Sequence, residues 1–150
     1  MTCIEFFDSN AIENIFTCLT VNPDRVILIG DNGKLLAAHA ERYKNFTLEK
    51  GLDIEFAYYP ITRNDLTGIV DRLSAIVETY DDCIFDLTGG DELYLTAAGM
   101  ILERYSDKDI QMHRVNYLTR KAYDVDGDGN VILEEEMPEL TVRECIRIYG

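Results

Sequence analysis

Apolar residues occur along this chain in two recurring patterns. Short, nearly continuous apolar runs lie at residues 3–7, 26–29, 54–59 and 83–87. These runs predict strands, and those at 26–29 and 83–87 are typical of buried strands in a parallel sheet. After each run, apolar residues recur every three or four positions, which predicts a helix with one buried face. We predict these helices after a cap at Ser9 or Asn10, from about 34 to 50, after a cap at Asn64 or Asp65, and over 91–105.

The alternation of strands and helices defines the predicted fold. Successive strand–helix units call for a parallel sheet covered by helices on both faces. The pattern changes after Lys108, because residues 110–136 form alternating runs around a turn at Gly127, Asp128 and Gly129. An Asp-Gly turn between such runs indicates an antiparallel hairpin. We therefore predict an α/β fold: a Rossmann-like, doubly wound and mainly parallel sheet with a C-terminal antiparallel β-hairpin.

The chain length suits one domain, which we place at residues 1–139 and which includes the hairpin at 110–136. The last segment, 140–150, has a Thr141 cap and four apolar residues at helical spacing. This predicted helix ends at Gly150 with nothing to pack against. We therefore expect it to lead into an effector domain that is absent from the chain.

Charge and composition narrow the classes of function. The sequence has 28 acidic and 14 basic residues, and its net charge of -14 repels a nucleic-acid backbone, so we expect no direct DNA or RNA binding. No window approaches the roughly 20 apolar residues of a membrane-spanning helix, and the N-terminus lacks the basic start of a secretory signal. We expect a cytoplasmic protein without membrane association. Four scattered cysteines, with no Cys-x-x-Cys pair, argue against a zinc site and a disulfide framework.

Two glycine-containing loops are the strongest candidates for a ligand site. Each follows a predicted parallel strand and leads into a helix N-terminus, where backbone N–H groups and the helix dipole favour an anion. In open α/β sheets the ligand crevice lies at this carboxyl edge. Positive charge would come from Lys34, Arg42 or Arg63 in neighbouring loops. The predicted ligand-binding residues are Gly30, Asp31, Asn32, Gly33, Lys34, Thr62, Arg63, Thr88, Gly89, Gly90, Asp91 and Glu92.

Several motifs also have purely structural interpretations. Asp91 and Glu92 are favoured in the first turn of a helix by its dipole, with or without a ligand. Residues 124–135 fit the twelve-residue EF-hand calcium loop, but their flanks alternate as strands, so we interpret them as an acidic hairpin turn. His39 lies on the apolar face of its helix and is expected to be packed. No nucleophile, base and orienting residue can be grouped, which favours binding over catalysis, and we predict no metal or cofactor site.

Residues 84–92, which read Ile-Phe-Asp-Leu-Thr-Gly-Gly-Asp-Glu, carry a family resemblance together with residues 22–29 and the helix at 12–15. This set resembles CARF domains, the CRISPR-associated Rossmann-fold sensors. It is most similar to the branch in which such a domain precedes a winged-helix segment and a restriction-endonuclease-like nuclease. Family members usually read Asn-x-Thr-Gly-Gly-Thr-Lys at this loop. Here Thr88, Gly89 and Gly90 match, whereas Asp86 replaces the Asn, Asp91 the Thr and Glu92 the Lys.

The resemblance implies a homodimeric sensor that binds a cyclic oligoadenylate second messenger and controls an effector nuclease in antiviral defence. From the resemblance, we expect the matching loop at 88–90 to contact the ligand. The loop at 30–34 is expected to supply the other contact. The family has a lysine at the position of Glu92, so this chain lacks that positive charge. One alternative is a small magnesium-dependent nucleotide hydrolase or transferase in which Asp86 and Asp91 hold the ion. Another is a calcium-binding or purely structural dimerisation domain.

Overall fold

A computed structural model describes residues 1–7 and 10–150 of the chain. Over this part of the chain, seven strands form one sheet: β1 (Thr2–Phe6), β2 (Arg25–Gly30), β3 (Glu55–Pro60), β4 (Cys83–Asp86), β5 (Gln111–Asn116), β6 (Lys121–Val125) and β7 (Val131–Glu136). The helices are α1 (Ala11–Val21), α2 (Gly33–Glu49), α3 (Leu66–Thr79), α4 (Glu92–Arg104) and α5 (Val142–Tyr149).

The strand order is β3-β2-β1-β4-β5-β6-β7. Strands β1 to β5 are parallel to one another, β6 pairs antiparallel with β5, and β7 pairs antiparallel with β6. The chain winds outward from β1 to β3, crosses back to β4 on the other side of β1, and winds outward again. This reversal between β1 and β4 defines a doubly wound fold. The predicted fold class, including the C-terminal antiparallel hairpin, is confirmed.

The central strands explain the continuous apolar runs, because both of their faces are covered. Side chains alternate between a layer under α3 and α4 and a layer under α1, α2 and α5. The first layer includes Ile4, Ile27 and Phe85, and the second includes Cys3, Leu28 and Ile84. The carboxyl ends of β1 to β4 are therefore held by a core on each face.

The helices begin at residues whose side chains suit a cap. Asp65, one of two predicted caps, accepts a hydrogen bond from the N–H of Gly68 at the start of α3. Asn10 is the N-cap residue of α1, and the alternative, Ser9, lies outside the described residues. Among the described residues, no helix is both long enough and apolar enough to span a bilayer.

The C-terminal helix, α5, packs back onto the domain, so the expectation that it has nothing to pack against is wrong. Ile148 is 1% exposed and belongs to the core layer under α1 and α2. Ion pairs of Arg147 with Glu49, at 2.5 Å, and of Lys50 with Glu144 hold the outer surface. Sequence spacing shows that α5 has an apolar side, but it does not show that the chain turns back over α1 and α2.

Candidate functional site

A cavity of about 350 Å³ lies at the carboxyl edge of the sheet. It is bounded by the segments that follow β1, β2, β3 and β4, so both halves of the doubly wound sheet contribute to it. Three of the predicted ligand-binding residues line it: Asp31, Arg63 and Asp91. Sequence reasoning missed the remaining wall, which consists of Phe7, Ile61, Asn64, Ile69, Leu93 and Tyr94. Asn64 was considered only as a helix cap, and the apolar residues gave no signal that separates a cavity wall from the core.

An ion pair crosses this cavity edge. The Nε of Arg63, after β3, donates to Oδ2 of Asp31, after β2. The Arg63 side chain is 76% exposed and the Asp31 side chain is 29% exposed, so the pair faces solvent on the cavity side. β2 and β3 are hydrogen-bonded neighbours, which brings these two loops together. The sequence predicted both residues but not their contact.

Like α3, two further helices at this edge are capped by the side chains that precede them. Asn32 accepts from the N–H of Leu35 at 3.1 Å, at the start of α2. Asp91 accepts from the N–H groups of Leu93 and Tyr94, at 3.0 and 3.2 Å, at the start of α4. Asp91 therefore has a structural role at the start of α4, independent of any ligand. These backbone N–H groups were expected to be available to an anion, and in this structure side chains of the protein bind them instead.

The glycines after β4 are required by close packing against the end of β1. A Cβ on Gly89 would lie 2.7 Å from the carbonyl oxygen of Phe6. Gly90 has a φ of 90° and would also place a Cβ 2.7 Å from that of Phe6. By contrast, Gly33 has only ordinary contacts where a Cβ would lie, and Gly30 is the last residue of β2. The Gly89-Gly90 pair thus shapes the loop beside the cavity.

Thr88 and Asp86 brace the same loop from below. Oδ1 of Asp86 accepts from the N–H of Thr88 at 3.0 Å, and Oδ2 accepts from the Thr17 hydroxyl of α1 at 2.7 Å. The Thr88 hydroxyl oxygen in turn accepts from the N–H of Val115 in β5 at 2.9 Å. Asp86 is fully buried, and burial raises its pKa. These bonds fix the loop, and they point the side chains of Thr88 and Asp86 into the domain.

The other predicted residues lie at the surface or elsewhere. Lys34, Thr62 and Glu92 are exposed at the carboxyl edge. Arg42 was expected to supply positive charge to the site, and this expectation is wrong. It lies in the middle of α2, and its Nη1 donates to the carbonyl oxygen of Tyr149 at 3.2 Å, because α5 folds back over this part of α2.

Hydrogen bonds link three polar side chains between α1 and the strands beneath it, and the sequence did not predict these contacts. The Nε2 of His113 in β5 is 2.9 Å from the Thr20 hydroxyl of α1, and its Nδ1 is 2.6 Å from Oδ1 of Asp124 in β6. These are the residue types of a nucleophile, a base and an orienting acid. His113 is fully buried, however, and none of the three lines the cavity. These hydrogen bonds tie α1 to β5 and β6.

The acidic segment 124–135 is part of a hairpin, as predicted: it comprises the end of β6, a turn at 126–130 and most of β7. Oδ1 of Asp126 accepts from the N–H groups of Asp128 and Asn130, at 3.0 and 2.9 Å. Asp124 is turned toward His113. The carboxylates of Asp124 and Asp126, which an EF-hand would use to bind calcium, are therefore hydrogen-bonded to other groups of the protein.

The carboxylates assigned to magnesium in the alternative interpretation are also engaged by protein donors. Asp86 is bound by Thr17 and Thr88, and Asp91 caps α4. Within residues 1–7 and 10–150, no group of three or more His, Cys, Asp or Glu side chains is arranged to hold a metal ion. The structure gives no support to a magnesium-dependent active site at this pair.

His39 is buried on α2, as predicted, and its ring packs 4.7 Å from that of Phe7, centroid to centroid. Burial lowers the pKa of His39. Because Phe7 lines the cavity, His39 supports the cavity wall from behind and does not contact the cavity itself.

Solved structures share this fold over nearly the whole chain. Can2 from Sulfobacillus thermosulfidooxidans, in complex with cyclic tetra-adenylate, matches 99% of this chain and 40% of its own, with a TM-score of 0.77 and 19% identity. Protein VC1899 from Vibrio cholerae matches 99% of this chain and 39% of its own, with a TM-score of 0.76 and 15% identity. A type III CRISPR defence DNA nuclease activated by cyclic oligoadenylate matches 99% of this chain and 23% of its own, with a TM-score of 0.65 and 17% identity.

This chain therefore spans two fifths or less of the length of these three structures. What it shares with them is the doubly wound fold. No protein-family model matches the sequence, and no curated protein matches it.

Proposed function

We propose that this chain is a CARF-like sensor domain that binds a cyclic oligoadenylate at the carboxyl edge of its sheet. The observation that carries the proposal is the cavity at that edge, which is walled by both halves of the sheet and contains the guanidinium of Arg63. Two structures of the same fold are in complex with cyclic tetra-adenylate or activated by cyclic oligoadenylate. The match of Thr88, Gly89 and Gly90 to the CARF loop supports the same ligand class.

The cavity suits a nucleoside better than a bare phosphate. The cavity wall has apolar side chains that could contact a base, namely Phe7, Ile61 and Leu93. It also has the polar side chains of Asp31 and Arg63. Arg63 donates hydrogen bonds, whereas Asp31 accepts them from hydroxyl or amino groups. Recognition in this proposal depends on hydrogen bonds to the base and ribose as much as on attraction of phosphate. The glutamate at position 92 is consistent with that balance, because it lies outside the residues that line the cavity.

The size of the cavity supports a homodimer. About 350 Å³ is near the lower end of the range for small-molecule pockets, roughly 300–1,000 Å³, and is enough for about one nucleotide. A ring of four nucleotides exceeds it. Two copies related by a two-fold axis, the commonest symmetry of soluble oligomers, would present two cavities to one ring. We propose that the ligand binds between two such copies.

Control of an effector nuclease would pass through α5. The Tyr149 hydroxyl at its end donates to Oδ1 of Asn10 at 2.7 Å, and Asn10 follows β1 at the carboxyl edge. A ligand that displaces Asn10 would change a contact of α5. We propose that segment 140–150 connects the sensor to the effector and that the effector is a nuclease of antiviral defence.

Native mass spectrometry with cyclic and linear oligoadenylates tests this proposal. We expect a dimer that binds one cyclic tetra-adenylate and has lower affinity for the linear tetranucleotide. A chain that binds none of these nucleotides at tens of micromolar would contradict the ligand assignment. A monomer that binds the ring would contradict the dimeric site.

A pair of charge reversals locates the site. Arg63→Glu should weaken binding of cyclic tetra-adenylate by more than about tenfold, because it places a like charge beside the phosphates. Arg114→Glu makes the same change on the exposed face of β5, away from the cavity, and should leave affinity within about twofold. Equal losses in both variants would show a general charge effect and contradict the assignment to this cavity.

A further inference from the structure

We propose that Asp31 and Arg63 together recognise the ribose of the bound nucleotide. The Asp31 carboxylate accepts a hydrogen bond from the 2′-hydroxyl, and the Arg63 guanidinium faces the neighbouring 3′-phosphate. This inference rests on the proposed function, and it assigns to the site a preference for ribonucleotides over deoxyribonucleotides.

The geometry of the pair fits this role. Asp31 and Arg63 both line the cavity, and their ion pair joins one carboxylate oxygen to the Nε of the guanidinium. A carboxylate has a second oxygen, and a guanidinium has two further nitrogens, with which to bind a ligand. The pair therefore presents an acceptor and a donor side by side. Each side chain holds the other in place before the ligand arrives, so little side-chain entropy is lost on binding.

A ribonucleotide in a 3′–5′ linked ring carries the complementary pair. Its 2′-hydroxyl donates, and the carbon next to it bears an anionic phosphate. With a deoxyribonucleotide the phosphate remains and the hydroxyl does not. Asp31 would then lose water without gaining a donor and would lie near a negative charge, which costs affinity. Sites built to hydrogen-bond a hydroxyl reject analogues that lack it more strongly than apolar pockets reject a change of size.

Asp31 is distinguished from the other acidic side chains at this edge by its partners. Asp65 and Asp91 bind the N-termini of α3 and α4, so their oxygens have a structural use. Glu92 does not line the cavity. Asp31 lines the cavity, is 29% exposed, and is bound there by a side chain that also faces the ligand space. Doubly wound dinucleotide-binding folds likewise use an acidic side chain for the ribose hydroxyls.

Calorimetry with cyclic tetra-adenylate and its all-2′-deoxy counterpart tests the inference. For the unmodified protein we expect the ribose ring to bind at least about tenfold more tightly, the size of one charge-assisted hydrogen bond. In Asp31→Ala the ratio of the two dissociation constants should fall to within about threefold. The matched variant Glu41→Ala, which removes an equal charge from the exposed side of α2 and away from the cavity, should keep the ratio of the unmodified protein. Because each ratio compares two rings of equal charge on one protein, a general charge effect cancels.

Equal binding of both rings by the unmodified protein would overturn the inference and leave the proposed function standing. So would a ratio that survives in Asp31→Ala. Binding of neither ring would contradict the proposed function and this inference with it. Thermal unfolding of both variants checks that they are folded, and the exposed position of both side chains predicts that they are.

Discussion

Two carboxyl groups are buried side by side in the centre of the sheet. Glu5 in β1 and Asp86 in β4 are paired in the strand register, and both side chains are fully buried. Asp86 is satisfied by hydroxyl and backbone donors. Oε1 of Glu5 is approached by the thiols of Cys18 and Cys3, at 3.5 and 3.9 Å, and among the described residues Oε2 has no hydrogen-bond partner. Burial, and then the charge of Asp86, raise the pKa of Glu5 well above its usual range.

This arrangement predicts that Glu5→Gln stabilises the protein at neutral and higher pH. Since the pKa of Glu5 is raised on folding from an unfolded value near 4.5, its contribution is fully present below that pH and is lost as the pH rises toward the folded pKa. The Gln variant mimics the neutral acid. Its free energy of unfolding in urea should exceed that of the unmodified protein at pH 8, by on the order of 1 kcal/mol, and differ less at pH 4.5.

Glu41→Gln, on the exposed side of α2, is the control and should leave the pH dependence unchanged. If Glu5→Gln and the unmodified protein lose stability in parallel between pH 4.5 and pH 8, the neutral state of Glu5 in the fold is contradicted.

The sequence indicated candidate site residues but not their contacts. Asp31 and Arg63 follow strands that the apolar runs locate, so both were candidates, and both line the cavity. Their ion pair depends on β2 and β3 being neighbours in the sheet, which spacing along the chain does not encode. The link from Thr20 to His113 was missed for the same reason, because it joins residues that are 93 positions apart.

At the scale of elements, α5 combines a well-defined local structure with a small buried contact. Thr141 and Glu144 form a reciprocal capping box at its start, and Ile148 is its buried residue. Arg147 and Glu49 pair at the solvent-exposed surface, and such pairs contribute little. Ile148 supplies the main apolar contact of α5 with the core under α1 and α2.

This predicts that Ile148→Ala destabilises α5 and that Ile146→Ala does not. Ile148 is 1% exposed and Ile146 is 65% exposed on the same helix. The buried truncation should cost about 2–4 kcal/mol in urea unfolding or in local amide exchange of segment 140–150, and the exposed one less than about 0.5 kcal/mol. Similar effects of the two truncations would contradict the docked position of α5.

The elements were predictable because their signals are local. Capping residues and apolar spacing located the helices to within a few residues, and the Asp-Gly turn located the hairpin. The docking of α5 was not predictable, because an apolar helix side is equally compatible with this domain and with a following one. In the acidic segment at 124–135, the residue types match an EF-hand loop. The strand-like pattern around them correctly predicted a hairpin instead.

At the scale of the whole molecule, the doubly wound topology brings loops from distant parts of the sequence to one edge. A core lies on each face of the sheet, and the segments that follow β1 to β4 wall the cavity. Continuous apolar runs and strand–helix alternation were enough to predict this edge. The cavity itself was not predictable, since apolar residues such as Ile61 and Leu93 line it and have the sequence signature of core.

Amide hydrogen exchange tests whether a cyclic oligoadenylate binds at this carboxyl edge. Exchange is measured by mass spectrometry with and without saturating cyclic tetra-adenylate. We predict slower exchange in the segments after β2, β3 and β4, at 31–36, 61–69 and 87–95, and no change at the opposite edge, at 22–25 and 50–55. No change anywhere in the chain, or slower exchange confined to the opposite edge, would contradict the account.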